Sequence, residues 1–301
     1  MVSYSIKDLE HLSGIKAHTL RIWEQRYQIL KPSRSDTNIR SYGDSELKLV
    51  LNIALLQDKA GFKISEIAKM SEDEISNHIL ELSKGQLDFP EQIQALTVAM
   101  MDLDENRFQQ LTRNIVGAHG FESYMLNIIY PFMRRLGTLW LSGSVGPAQE
   151  HFISHLIRQK VISAIDSQEL SLKPSAKKFL LYLPEGELHE IGLLFANYVF
   201  RARKHSVVYL GQSLPYEELL LAYEIHQPDY IFSVFTSEPN AELIQPYVDQ
   251  MVKDMPSTQL LLTGYQVLQK EVKIPKEIHI IPDFQALIDL ANGAELTKAL
   301  V

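Results

Sequence analysis

The sequence predicts a multidomain protein of mixed α and α/β class: a winged helix-turn-helix head, a four-helix bundle, and a doubly wound parallel α/β domain. Three observations carry that prediction. Two short helical segments meet at Gly14 and are followed by a polar, basic loop, the order of a winged helix-turn-helix. Between Glu91 and Gln168 apolar residues recur at helical spacing with no strand alternation, which suits a bundle. After Lys173-Pro174, short β-rich runs alternate with helical segments, and right-handed crossovers then place all strand C-termini on one edge of a parallel sheet. The corresponding domains are residues 1–84, 90–172 and 173–301.

In the head, Ser5 is positioned to cap a helix that Gly14 ends, with Asp8 three residues after the cap. A second helix, Lys16 to Tyr27, sets Leu20 and Trp23 at core spacing and turns Arg21 and Arg26 elsewhere. Pro32 to Tyr42 is a basic loop with Arg34 and Arg40, and Ser45 to Asp58 resumes helical period. Ile64 to Ser83 reads as helical, and Gly85 to Pro90 as a linker. The bundle helices are expected at Gln92–Met101, Glu105–Ala118, Glu122–Thr138 and Ala148–Gln168, with breaks at Gly117–Gly120 and Gly143–Pro147. Strands follow at Phe179–Leu183, Ser206–Leu210, Tyr230–Val234, Gln259–Leu262 and Ile278–Ile281. Helices between them are expected near Glu190–Lys204, Tyr216–His226, Ala241–Lys253 and Tyr265–Lys270.

Composition narrows the function. The 301 residues contain no cysteine, which excludes disulfides, thiolate metal sites and cysteine nucleophiles. No apolar run has the length of a membrane span, and Met1 to Lys7 lacks the apolar stretch of a secretion signal, so a cytoplasmic protein without a membrane partner is expected. The net charge of −8 is unevenly spread. Met1 to Met70 carries eleven basic and eight acidic residues, leaving 18 basic and 29 acidic for the remainder. A basic head on an acidic body suggests a DNA-binding end.

The residues of that head are specific. Thr19-Leu20-Arg21-Ile22-Trp23-Glu24-Gln25-Arg26-Tyr27, followed at the right distance by Arg40-Ser41-Tyr42, resembles the N-terminal domain of the MerR family of transcription regulators. The resemblance covers about the first 70 residues. It implies a second helix that enters the major groove of operator double-stranded DNA and a wing that grips phosphates. His18, Arg21, Arg34, Arg40 and Tyr42 are then the DNA-contact candidates. Any one of these arginines alone would read as part of a solvated basic face; the set gains weight because a winged helix-turn-helix presents its two elements on one side.

The C-terminal sheet edge is the second focus, because open parallel sheets bind ligands at the ends of their strands. Three pieces fall there: Glu187-Leu188-His189-Glu190-Ile191-Gly192, Ser233-Val234-Phe235 and Thr263-Gly264-Tyr265. Forty residues separate Gly192 from Ser233, and 30 separate Ser233 from Gly264. An acidic residue, then His two positions later and Gly three further on, with Ser and Gly at these distances, resembles the signature of flavodoxin-like cobalamin-binding domains. By that resemblance His189 is the lower axial ligand of cobalt, a position that suits a neutral imidazole because the corrin supplies the four in-plane nitrogens. Glu187 and Ser233 would form the relay that fixes its tautomer. Gly192 would let the displaced nucleotide tail approach the backbone, with Gly264 lining the same slot. Two departures stand out: Glu187 replaces the more usual Asp, and Thr263 replaces the first of two glycines.

The bundle carries a related signal. Trp140, nine intervening residues, then Glu150-His151 resembles the upper-face motif of light-responsive cobalamin regulators of the CarH type. The resemblance implies adenosylcobalamin, with methylcobalamin or another cobalamin as alternatives, held between the helical cap and the α/β domain. Trp140, Glu150 and His151 would contact the adenosyl group. It further implies a dimer or tetramer that binds its operator in the dark and disassembles when light breaks the cobalt–carbon bond. Leu141 stands where well-studied members have a histidine, so capture of cobalt after light would fall to His151, His155 or another group.

Other readings remain open. A lone loop histidine is ordinarily a polar loop residue and a lone tryptophan ordinarily core. His151 and His155, at i and i+4, have zinc-site spacing but no third ligand. Glu185 and Glu187 have no nucleophile beside them, so no catalytic residues are expected and the chain is not read as an enzyme. Two rivals persist: a MerR-type regulator that uses the same fold for protein interaction without cobalamin, and a corrinoid carrier of a methyl-transfer or isomerase system.

Overall fold

The computed structural model describes residues 4–34, 40–72, 74–75, 77–78, 89–141, 145–169, 171–240, 242–268 and 272–294. The chain divides into two compact units, Met1–Leu156 and Ile157–Val301. Of the linker expected over Gly85–Pro90, residues 85–88 lie outside the described residues, as do the helix end at Ser83 and the break at Gly143-Ser144, whereas Phe89 and Pro90 are the first turn of a helix rather than linker.

The first unit opens with helix Ile6–Ser13. The Ser5 hydroxyl accepts the Asp8 N–H at 3.3 Å, the Asp8 carboxylate accepts the Ser5 N–H at 2.7 Å, and Gly14 at φ 77° ends the helix. Helix Ala17–Tyr27 follows and buries Leu20 and Trp23. The basic loop is a hairpin in which β1 (Ser33–Arg34) pairs antiparallel with β2 (Arg40–Ser41). Helix Asp44–Ala60 fully buries Val50, Leu51, Ile53 and Leu56. The single helix expected from Ile64 is broken: helix Ile64–Ile67 stops, and a new turn begins where the Glu74 carboxylate accepts both the backbone N–H and the hydroxyl of Ser71. That local capping competes with continuation of the helix.

Helices Phe89–Met101, Glu105–His119, Tyr130–Leu141 and Pro147–Asp166 supply the predicted four-helix pattern. Helix Phe89–Met101 packs on helix Asp44–Ala60, where Lys48 Nζ lies 2.9 Å from Asp102 Oδ1. The helix expected from Glu122 contains a π turn at Met125–Ile129, following helix Phe121–Tyr124. Met125, Ile128 and Ile129 are all buried there, so the wider turn keeps the apolar face inward.

In the second unit the described strands form a five-stranded parallel sheet: β3 (Lys178–Pro184), β4 (Ser206–Leu214), β5 (Tyr230–Val234), β6 (Gln259–Thr263) and β7 (Ile278–Ile280). Their order, β4-β3-β5-β6-β7, is the flavodoxin-like one, and its switch point lies between β3 and β5. Phe179 to Leu183 are buried without alternation because helices cover both faces of a central strand. Helices Ile191–Ala202, Tyr216–His226, Ile244–Asp254 and Tyr265–Leu268 connect the strands. Two features were not expected. Strand β4 runs four residues past Leu210, and a final helix, Phe284–Ala291, is capped by Asp283, whose carboxylate accepts the Ala286 N–H at 2.8 Å. Phe284 stacks edge-on against Phe195 with ring centroids 5.4 Å apart. Among the described residues, no helix is long and apolar enough to cross a membrane.

Candidate functional site

The loop after β3 lies at the switch point and is held from several sides. Gly186, at φ 83°, turns the chain. Its N–H donates to Ser213 Oγ at 3.0 Å, the Ser213 N–H donates to the Glu187 carbonyl at 3.2 Å, and Gln212 Nε2 donates to the Leu188 carbonyl at 2.5 Å. The unexpected extension of β4 therefore clamps the loop backbone. Gln212 and Ser213 escaped sequence reasoning because the strand's apolar run ends at Leu210.

Glu187 is fully buried and is the hub of the loop. One oxygen, Oε2, accepts the N–H groups of Thr236 at 3.0 Å, Ser237 at 2.6 Å and Glu238 at 3.0 Å, and the Ser237 hydroxyl at 3.1 Å. The other, Oε1, accepts the His189 N–H at 2.9 Å and lies 2.5 Å from His189 Nδ1. Burial pushes the Glu187 carboxyl up, but the bonds from the His189 ring and from the Ser237, Glu238 and His189 amides outweigh it and hold the group well below the usual carboxylate range. An ionised Glu187 makes Nδ1 the donor, so the imidazole lone pair sits on Nε2, on a side chain that is 63% exposed.

That geometry fits a metal that arrives with its own equatorial ligands. Among the described residues no group of three or more His, Asp or Glu is placed to hold a metal ion, whereas one oriented imidazole suffices for an axial position. The same sheet edge also exposes Leu188 (62%), Leu243 (56%) and Tyr265 (61%), apolar surface of the kind a broad macrocycle would cover.

Other predicted site residues fall differently. Ser233 is fully buried, and its hydroxyl donates to the Tyr182 carbonyl at 2.8 Å. In this structure its hydroxyl braces β3 against β5, and it is Glu187 that contacts the His189 ring. Gly264, at φ 109°, has its Cβ direction filled by backbone, since an added Cβ would lie 2.4 Å from the Phe235 carbonyl oxygen. Gly192 packs against Phe284 and Val234, with an added Cβ 3.3 Å from the Phe284 ring. Both glycines are closely packed around β5. Glu150 and His151 lie on helix Pro147–Asp166, with Glu150 Oε2 2.9 Å from His151 Nδ1 and the His151 and His155 rings 6.2 Å apart. Trp140 falls in helix Tyr130–Leu141, and its side chain lies outside the described residues.

In the head, His18 and Arg21 are exposed on helix Ala17–Tyr27, opposite its buried Leu20 and Trp23. Arg34 and Arg40 come from the hairpin, and Glu24 draws them to that helix: its carboxylate accepts Arg40 Nε at 3.1 Å on both oxygens and lies 3.8 Å from the Arg34 guanidinium. Tyr42 departs from expectation as a surface contact. It is 1% exposed, pairs through its backbone with Tyr4, and directs its hydroxyl to Glu24 at 3.4 Å. Burial, followed by the Glu24 charge, pushes that phenol up, so it stays a neutral donor. Glu24 was missed because a helix carboxylate carries no mark in sequence of the arginines it will hold.

Two separate stretches of the chain, the wing-bearing head and the helical region before the sheet, each match a known family. Residues 4–74 match the family described as MerR HTH family regulatory protein, and residues 92–163 match the B12 binding domain. The chain thus joins a MerR-type helix-turn-helix domain to a B12 binding domain. Its relatives include the HTH-type transcriptional repressor CarH of Myxococcus xanthus, 26% identical over 260 residues, covering 84% of this chain and 86% of the relative. The HTH-type transcriptional repressor CarA of the same organism is 28% identical over 230 residues, covering 75% and 74%. In fold, the monomethylamine corrinoid protein of Methanosarcina barkeri aligns at TM-score 0.51 and 12% identity, over 64% of this chain and 93% of that one.

Proposed function

We propose that the protein is an adenosylcobalamin-dependent, light-responsive transcription regulator, organised as a DNA-binding head (1–84), a helical cap (90–172) and a cobalamin-binding α/β domain (173–301). The observation that carries the reading is the 2.5 Å contact between buried Glu187 and His189 Nδ1, by which Nε2 would be the nitrogen that holds cobalt. Bound cobalamin would supply a photolabile cobalt–carbon bond. Glu187 fixes the tautomer and orientation of His189, and Leu188, Leu243 and Tyr265 offer apolar cover to the ring. Trp140, Glu150 and His151 are proposed as upper-ligand contacts, and His18, Arg21, Arg34 and Arg40 as operator contacts.

The regulatory logic is linkage. A ligand that binds one assembly state better shifts the population toward it, and several heads acting together raise avidity for operator DNA. The relatives named as transcriptional repressors support a repressing role. The test is a gel-shift titration of the protein's own upstream DNA with and without adenosylcobalamin, in the dark and after illumination. Tight dark binding that requires the cofactor and is lost on illumination is expected. Binding indifferent to cofactor and light would leave a cobalamin-independent regulator, and cobalamin retention without DNA binding at low salt would favour a corrinoid carrier.

A further inference from the structure

Glu190 follows His189 directly and is 6% exposed, yet the corrin reading gives its carboxylate no task. Its backbone N–H donates to the Leu188 carbonyl at 2.9 Å, and it is the N-cap residue of helix Ile191–Ala202. Each side-chain oxygen has its own donor: Oε1 pairs with Arg158 Nε, and Oε2 accepts the Tyr209 hydroxyl at 2.8 Å. A carboxylate is costly to bury unless paired in this way, so the arrangement fixes where the chain leaves the His189 loop and enters the helix. Tyr209 comes from β4, whose extension also clamps the loop through Ser213.

Arg158 comes from elsewhere in the sequence. It lies on helix Pro147–Asp166, seven residues after His151, and at 3.6 residues per turn that spacing returns to the same stripe two turns along. We infer that Glu190 is a positioning residue for the axial histidine, and that Arg158 makes it answer to the helix that carries Glu150 and His151. A shift of that helix is transmitted through the ion pair to the first turn of helix Ile191–Ala202, and so to the residue beside the ligand. The role rests on His189 being the axial ligand; the clamp itself does not.

The test uses the full chain with Arg158→Met, Glu190→Gln, the double variant and Arg158→Lys. In the cofactor-free protein, amide exchange over residues 185–193 should quicken about tenfold in Arg158→Met and Glu190→Gln, with Arg158→Lys intermediate because it keeps charge but loses the Nε geometry. The double variant should be no worse than either single one, as expected of a shared contact. After loading with aquocobalamin, the fraction showing a histidine-ligated cobalt spectrum should fall in Arg158→Met and recover in part in Arg158→Lys. Exchange within about twofold of wild type in both single variants would overturn the clamp. Failure of the wild-type protein to take up cobalamin would instead remove the axial-ligand reading, and with it the positioning role, whatever the exchange data show.

Discussion

Replacing Glu187 by glutamine exchanges one carboxylate oxygen for an NH2 group inside a cage made of donors. The amide nitrogen will face the smaller donor set, at His189, because the other oxygen position accepts three N–H groups and a hydroxyl. There the His189 N–H loses its acceptor, and the ring can only accept from glutamine if its proton moves to Nε2. An unsatisfied buried donor together with the lost charge-assisted bond should destabilise the second unit by about 3 kcal/mol at pH 7. The assay is urea unfolding of the cofactor-free protein between pH 7 and pH 3. The folded-state pKa of Glu187 is depressed, so its contribution is fully present above the unfolded carboxylate value of about 4.3 and is lost as pH falls toward the folded value. The gap between wild type and Glu187→Gln should therefore be constant above about pH 5 and narrow below about pH 4. A gap that stays constant down to pH 3, or one below about 0.5 kcal/mol at pH 7, would refute the hub assignment.

Gly264→Ala should cost at least about 2 kcal/mol in the same unfolding assay, since both the positive φ and the Phe235 backbone oppose a Cβ, and a neutral result would show that this turn relaxes freely. Arg40→Ala should weaken DNA binding across sequences and lower the salt slope by about 1, as measured by titration at several salt concentrations; an unchanged slope would take Arg40 off the phosphates. Trp140→Ala should impair retention of adenosylcobalamin more than that of cobalamins with small upper ligands, and equal losses would remove Trp140 from the upper face.

The fold was readable because its periodicities are unmixed. Phe179 to Leu183 is an uninterrupted apolar run and Ser5-Asp8-Gly14 a complete start and stop signal, and both elements appear where those residues put them. The loop around His189 was only half readable. Its acidic residue, histidine and spacing are visible in sequence, but Glu187 reaches His189 and three amides of the next crossover only after β3 and β5 align, and a sequence does not display such convergence. Ser233 shows the converse: the right residue at the right distance turns its hydroxyl to the Tyr182 carbonyl. Phe284–Ala291 was legible in principle, since Pro282-Asp283 is a helix start, but at eight residues its pattern is too short to stand out. Tyr42 and Glu24 mark the remaining limit, for a wing's arginines are visible as charges while the half-buried carboxylate that orients them is not.

The most direct measurement is the absorption spectrum and corrin content of the protein after dark reconstitution with adenosylcobalamin and gel filtration, for wild type and His189→Ala side by side. Wild type should carry the corrin through the column with a spectrum distinct from that of free adenosylcobalamin, and His189→Ala should lose the corrin or shift that spectrum. Corrin eluting free of the wild-type protein, or identical retention and spectra for the two proteins, would contradict cobalamin binding through His189.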